Sequence, residues 1–291
     1  MARTLAQPAT LAAAQERPRR RDWHGFTAHV ILIASVALLA FPLYYAFVIS
    51  TQTLSQVTTT PPKPWPSTAL LANYAEAWHR AQMGRMLVNS AIVALGVAIG
   101  KIVISLLSAF AIVYFDFRGK NVVFWMIFVT LMLPVPVRIV STYQVVSVLG
   151  WVNTYWGLTV PLMASATGTF LFRQFFRTIP DSLAEAAQLD GAGPMRFLWT
   201  ILIPLSKANM AALFVILFVY GWNDYLWPLM ITNTPEMRTA VIGIETLVPR
   251  TSQLPEWNVA MAVAMMVLAP PVAVIVAMQR WFVKGLIETE K

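Results

Sequence analysis

From Gly25 to Thr60 the chain carries no Asp, Glu, Lys or Arg, and its apolar part extends to about Ser50. A helix needs about 20 consecutive apolar residues to cross a bilayer core, and this run exceeds that. A secretory signal peptide would have an apolar region of only about 7–15 residues before a small-residue cleavage site. The run therefore predicts a retained first membrane span, with Pro42 as the expected site of a kink.

The remainder reads the same way. Hydrophobic residues make up 58% of the 291 and charged residues 12%, with a mean hydropathy of +0.63. Soluble domains carry about 25% charged residues, so most of this chain calls for lipid as its solvent. Further apolar runs predict spans over Met86–Phe115, Val122–Val140, Trp156–Phe172, Ala208–Ile231 and Val259–Val283. Pro134 and Pro136 fall near the far end of the third. Between the first and second lies a polar, Pro-rich segment expected to hold a short helix around Ala69–Gln82. The tight basic turn Asp116–Lys120 and an uncharged loop beginning at Ser141 flank the third. The expected fold is an all-α integral membrane protein with six transmembrane helices.

Six spans place both termini on one side, and the basic residues indicate which. Arg3, Arg17, Arg19, Arg20, Arg21, Arg118, Lys120, Arg173, Arg177, Arg196, Lys207, Arg280, Lys284 and Lys291 fall on one face, against Lys63, Arg80, Arg85, Arg238 and Arg250 on the other. The positive-inside rule makes the first face, with both termini, cytoplasmic. The net charge of +8 thus reads as topology, and nucleic acid is not expected as a partner. The chain has no cysteine, which excludes disulfides and thiolate sites. His24, His29 and His79 are scattered, so no metal site and no cofactor is expected.

One polar break interrupts the cytoplasmic face, at Glu185–Leu205. Pro180 closes the preceding segment, and Ser182 with Glu185 has the spacing of a capping box. The run Leu183–Leu189 favours helix, Asp190-Gly191 supplies a stop, and Pro194 suits the first turn of a second helix leading back to the membrane. Two readings stand. The segment is either a well-capped loop helix or a rigid projection built to dock a partner.

The spacing of Glu185-Ala186-Ala187, Asp190-Gly191, Ile201 and Pro204 resembles the EAA loop of ABC importer permeases, with Ile203 where a Leu is usual before the Pro. The stretches "GTFLFRQFFRTIPDSLAEAAQLDGAGPMRF" and "YGWNDYLWPLM" resemble permeases of the carbohydrate-uptake branch, which includes the maltose type. The stretches "GKIVISLLSAFAIVYF", "FWMIFVTLMLPVPVRIV" and "MQRWFVKGLIETEK" resemble the second membrane subunits of sn-glycerol-3-phosphate importers. The similarity runs from about Phe26 to the end. It implies a type I ABC importer permease fold whose cytoplasmic coupling helix seats in a groove of an ATPase subunit. It also implies a second, different permease subunit, two copies of the ATPase and an external solute-binding protein, assembled in a bacterial inner membrane. The implied boundaries are a tail over 1–24, a first helix and outer segment over 25–84, a permease core over 85–283 with its coupling loop at 178–205, and a tail over 284–291. The implied solute is sn-glycerol 3-phosphate, with glycerophosphodiesters as further candidates and a maltose-type sugar as the alternative.

The residues themselves agree on the ATPase. The nearest approach to a nucleotide loop, Gly96–Lys101, is one residue short and lies in an apolar run, where GxxxG reads as helix packing. Lys101 falls near the middle of its span, so it is expected to face the bundle interior, either for an anion or for a structural partner. Arg138 lies nearer a span end, where snorkelling competes with pore lining. Trp222, Asn223 and Asp224 suggest a broken helix beside the solute path, although Trp222 and Trp227 equally suit an interfacial belt. Against an integral-membrane enzyme, the sequence has no HExxH, no G-x-S-x-G and no paired intramembrane carboxylates. A passive channel would have no use for the Glu185 element.

Overall fold

The computed structural model describes residues 23–61, 63–130, 135–246 and 255–288, all helix and connections with no strand among them. Most of the N-terminal tail, Pro134, Arg250 and residues 289–291 lie outside the described residues. The helices are α1 (Trp23–Ser50), α2 (Leu54–Val57), α3 (Leu70–Arg80), α4 (Met83–Tyr114), α5 (Lys120–Val129) and α6 (Val135–Val148). Next come α7 (Tyr155–Thr159), α8 (Ala166–Phe176), α9 (Asp181–Leu189), α10 (Pro194–Phe197), α11 (Ile203–Leu205) and α12 (Lys207–Trp222). The last are α13 (Leu226–Ile231), α14 (Ala240–Thr246) and α15 (Trp257–Glu288).

The chain divides into two units, residues 1–45 and 46–291. In the first, α1 presents Phe26, Ile31, Ile33, Leu38 and Leu39 on every side, all exposed. A helix that is apolar all round needs an apolar solvent, which here is lipid.

The second unit is organised on α4, which packs against α8 and α12, while α12 also packs against α15. Small residues let these helices approach. A side chain on Gly221 would meet the Ala94 backbone at 3.2 Å, and one on Gly168 would meet Ser105 Oγ at 2.5 Å. The GxxxG pair acts as expected, with Gly96 against Thr159 and Gly100 against Met163. Around the contacts lie Phe110, Phe172, Phe176, Leu213, Phe218 and Trp222, all buried. Gly168→Val should force α4 and α8 apart, so the yield of monodisperse protein in detergent should fall severalfold while Gly168→Ala falls less. Equal yields for the two would show that the crossing tolerates bulk.

The α3, α4 and α15 ends are joined by polar side chains. Asn73 Nδ2 donates to the carbonyls of Ser50 and Gln52, and Asn258 Nδ2 donates to Asn73 Oδ1. Arg80 pairs with Glu76 and Glu256, and Asn89 Nδ2 reaches the carbonyls of Glu236 and Arg238.

Several expected spans are interrupted. Three described helices are long and apolar enough to cross a membrane, Phe26–Ser50, Met83–Tyr114 and Trp257–Trp281. A fourth arises if Pro194–Leu205 and Lys207–Trp222, bent by 74°, count as one. Helix over Val135–Val148 replaces the uncharged loop expected from Ser141, because burial of Ile139 and Val146 in the cluster with Leu158, Trp227 and Ile231 outweighs weak local propensity. The run expected as one helix over Trp156–Phe172 breaks between Leu162 and Ala166. Pro161 ends α7 in a 3-10 turn, and Ser165 starts α8 afresh by accepting the Gly168 N–H at its Oγ. The run expected over Ala208–Ile231 breaks at Asn223–Tyr225. Six spans are compatible with this architecture.

Candidate functional site

Two constructions carry the chemistry. In the first, α9 starts one residue before the expected Ser182 cap. Extended Pro180 is its N-cap and Asp181 occupies the first turn. Ser182 and Glu185 therefore both lie inside the helix, and the capping box does not form. The Asp181 carboxylate offsets the positive end of the helix instead.

The stop at the other end is as expected. Gly191 has φ +72°, its N–H donates to Gln188 O at 3.0 Å, and Ala192 N–H donates to Ala187 O at 2.8 Å. This is a Schellman closure, which satisfies carbonyls that a helix end would leave free. Ala187 is buried against the cluster holding Phe197, and the Tyr114 ring meets Phe197 edge-on at 5.2 Å. Glu185, Ala186, Asp190, Gly191 and Pro204 are exposed. Ala187 thus anchors the helix to the bundle while its neighbours face outward.

Leu189, 89% exposed, was not singled out from the sequence. Its signal was there, since it lies off the Ala184–Ala187 stripe that faces the core. From α10 the chain continues through a π-helical turn, Leu198–Leu202, and bends at Ser206, whose buried Oγ donates to Leu202 O. A π turn sets one extra residue into the helix and is frequent at functional positions.

The second construction centres on the break after α12. The Asn223 N–H closes α12 on Val219 O, and Asp224 stands half-buried in the break before α13. Lys101, nearly buried on α4, places Nζ 4.4 Å from the Tyr220 ring centroid, a cation–π contact. Arg138 is exposed on α6 and lines a cleft of about 460 Å³ with Ser141, Thr142, Trp151 and Pro161.

Lys101 of α4 thus faces the end of α12, where Asp224 follows Tyr220 by four residues and Asn223 is exposed, and Arg138 stands on α6. Trp222 goes elsewhere. It is 2% exposed in the core, its indole N–H donating to Val267 O at 3.0 Å. Trp227 is equally buried and donates to Gly157 O at 3.0 Å, so neither ring is an interfacial anchor. Tyr220 was not anticipated, although it lies one helical turn before Asp224. Among the described residues no group of His, Cys, Asp and Glu could hold a metal.

Comparisons with known proteins converge. Residues 101–288 match the family described as binding-protein-dependent transport system inner membrane component. The chain is 54% identical to the sn-glycerol-3-phosphate transport system permease protein UgpE of Agrobacterium fabrum, over 91% of this chain and 96% of that one. It is 52% identical to the protein of the same description from Rhizobium meliloti, over 94% and 99%. With that from Yersinia enterocolitica the identity is 53%, over 90% and 96%. A crystal structure of a bacterial ABC transporter involved in import of the acidic polysaccharide alginate superimposes with a TM-score of 0.78 at 21% identity. It covers 89% of this chain and 96% of that one, and shares the fold.

Proposed function

The chain belongs to the family of binding-protein-dependent transport system inner membrane components, and from that membership we propose that it passes sn-glycerol 3-phosphate through the bacterial inner membrane. It is a multi-pass ABC importer permease subunit, and ATP hydrolysis belongs to a separate subunit. A partner permease, an ATPase and a solute-binding protein go with such a subunit in general.

The observation that carries the transport reading is the pairing of a closed, outward-facing helix at α9 with a charged station beside the α12 break. The finer picture is a heterodimer with one other permease and two ATPase copies, with both termini cytoplasmic. Residues 1–24 and 284–291 form its tails, and 85–283 form the permease core with its coupling loop over 178–205. Glu185, Ala186, Asp190 and Gly191 meet the ATPase, Ala187 anchors their helix, and Pro204 lies at the return to the membrane. Closing of the ATP-loaded ATPases displaces α9 as a rigid body, and the bundle reorients outward. Solute delivered by the binding protein then enters, and hydrolysis resets the assembly. A flexible loop would absorb the displacement, which is why the Schellman closure and the Ala187 anchor matter.

The solute reading rests on the named relatives and on chemistry. A phosphate ester is an anion at neutral pH, and Lys101 and Arg138 offer it cationic partners. Asp224 repels it and limits how tightly it is held, and Asn223 and Trp222 border the same break. Glycerophosphodiesters carry the same phosphate group and fit the same path.

The test is ATPase activity of the complex reconstituted with its binding protein. Glycerol 3-phosphate should stimulate hydrolysis and maltose should not. Stimulation by maltose alone would keep the importer and discard the solute. No stimulation by either, in a complex that hydrolyses ATP, would discard both.

A further inference from the structure

The two buried indoles share a feature that their positions in the sequence do not reveal. Val267 O would normally accept the N–H of residue 271, and Gly157 O that of residue 161, and both of those residues are proline. Proline has no N–H to give, so each carbonyl loses its helical donor. A membrane interior offers no water in its place. Trp222 supplies the donor to Val267 and Trp227 the donor to Gly157.

These tryptophans stand on either side of the Asn223–Tyr225 break. One short segment is thus bonded to two other elements, each at its proline, where helices bend most readily. Asp224 lies half-buried within that break, between the two tryptophans in the chain. Across from it, Lys101 is held on α4 over Tyr220.

We propose that Trp222 and Trp227 are positioning residues that clamp the Asn223–Tyr225 break between α15 and the α7 segment, so that Asp224 shifts against Lys101 when those elements move. The clamp opens and closes the charged station. With Asp224 close, Lys101 is neutralised within the protein. With Asp224 drawn away, Lys101 is free for an anionic solute. The proposal rests on reading the break as part of the solute path.

A simpler role would be to satisfy two carbonyls and nothing more, and proline replacement separates the two. Pro161→Ala gives Gly157 O a donor of its own, so the carbonyl no longer needs Trp227. Trp227→Phe keeps the ring and removes the tether. Uptake of radiolabelled glycerol 3-phosphate would be measured in liposomes holding the full complex and binding protein, with assembly followed by co-purification.

Trp227→Phe should lower uptake about tenfold, the size expected of a coupling residue. Pro161→Ala alone, which also alters the wall of the Arg138 cleft, sets the reference level for the double variant. The double variant should assemble like Pro161→Ala yet take up about tenfold less than it does. Recovery of uptake in the double variant would overturn the clamp, as would normal uptake by Trp227→Phe. If Trp227→Phe does not assemble, the double variant is scored in its place. If that also fails, Trp222→Phe with Pro271→Ala is scored likewise, and failure of both doubles to assemble counts against the clamp. Wild type that takes up maltose in place of the phosphate ester removes the solute reading alone, and the variants are then compared with maltose.

Discussion

Gly191→Trp is expected to abolish solute-stimulated ATP hydrolysis by the assembled transporter, while Gly191→Asn keeps most of it. No atom of this chain lies within 4 Å of a Cβ built at Gly191, so a larger side chain meets no obstacle inside the subunit. The cost is in the backbone. At φ +72° a residue with a Cβ is strained by about 1–2 kcal/mol, whereas Asn tolerates that region. The strain falls on the closure that ends α9 through Gly191, Ala192, Gln188 and Ala187. A helix that runs past its stop changes the direction of α10 and lifts Ala187 from Phe197. Trp also adds bulk on the exposed side, where the ATPase is expected.

A reduction of tenfold or more, about 1.4 kcal/mol in coupling, is the expected result for Gly191→Trp. Co-purification of both ATPase and partner permease would show that assembly survives. If Asn and Trp fall equally, the ATPase reads a bare backbone at Gly191, and left-handed geometry is not the reason for the glycine. If neither falls, the α9 segment is not the coupling element.

Lys101→Met is expected to raise the half-saturating concentration of glycerol 3-phosphate about tenfold or more, equivalent to about 1.4 kcal/mol of lost attraction. Met keeps the apolar stem that packs beside Tyr220 and removes the charge from a nearly buried position. A charge in that setting is costly to maintain, so its removal should not unfold the bundle. The opposing account is that Lys101 only neutralises Asp224. Lys101→Met with Asp224→Asn decides between them. If the double variant regains the wild-type response, the lysine serves Asp224. If the double assembles well and remains insensitive to the phosphate ester, the lysine serves the solute.

Much of the architecture follows from patterns that are local in sequence. The run through Ser50, the long α4 and α15, and the α9 stop depend on hydropathy and on turn chemistry within a few residues. Such signals need no knowledge of neighbours. The Ser182–Glu185 capping box failed for a related reason. Two start signals, Pro180-Asp181 and Ser182, compete within one turn, and the spacing of one motif cannot rank them.

The breaks were legible only in part. Pro161 and Asn223-Asp224 mark weak points, but whether a helix continues through them depends on what satisfies the freed backbone groups. For Gly157 O and Val267 O the donors come from residues far along the chain, Trp227 and Trp222. Hydropathy treats both rings as apolar and cannot tell a belt anchor from a buried donor. The residues at 101, 138 and 224 were visible one by one as unusual polar groups in apolar runs. The contact of Lys101 with Tyr220, one turn before Asp224, was not visible.

The solvent, the helical class and the glycine stop of α9 follow from the sequence alone, because each depends on bonding or solvation within one helix or turn. The tertiary structure decides which polar groups share one station, which face of α9 is free, and which tryptophan serves which proline. Those outcomes depend on distances between elements, and for such distances composition and spacing carry no term.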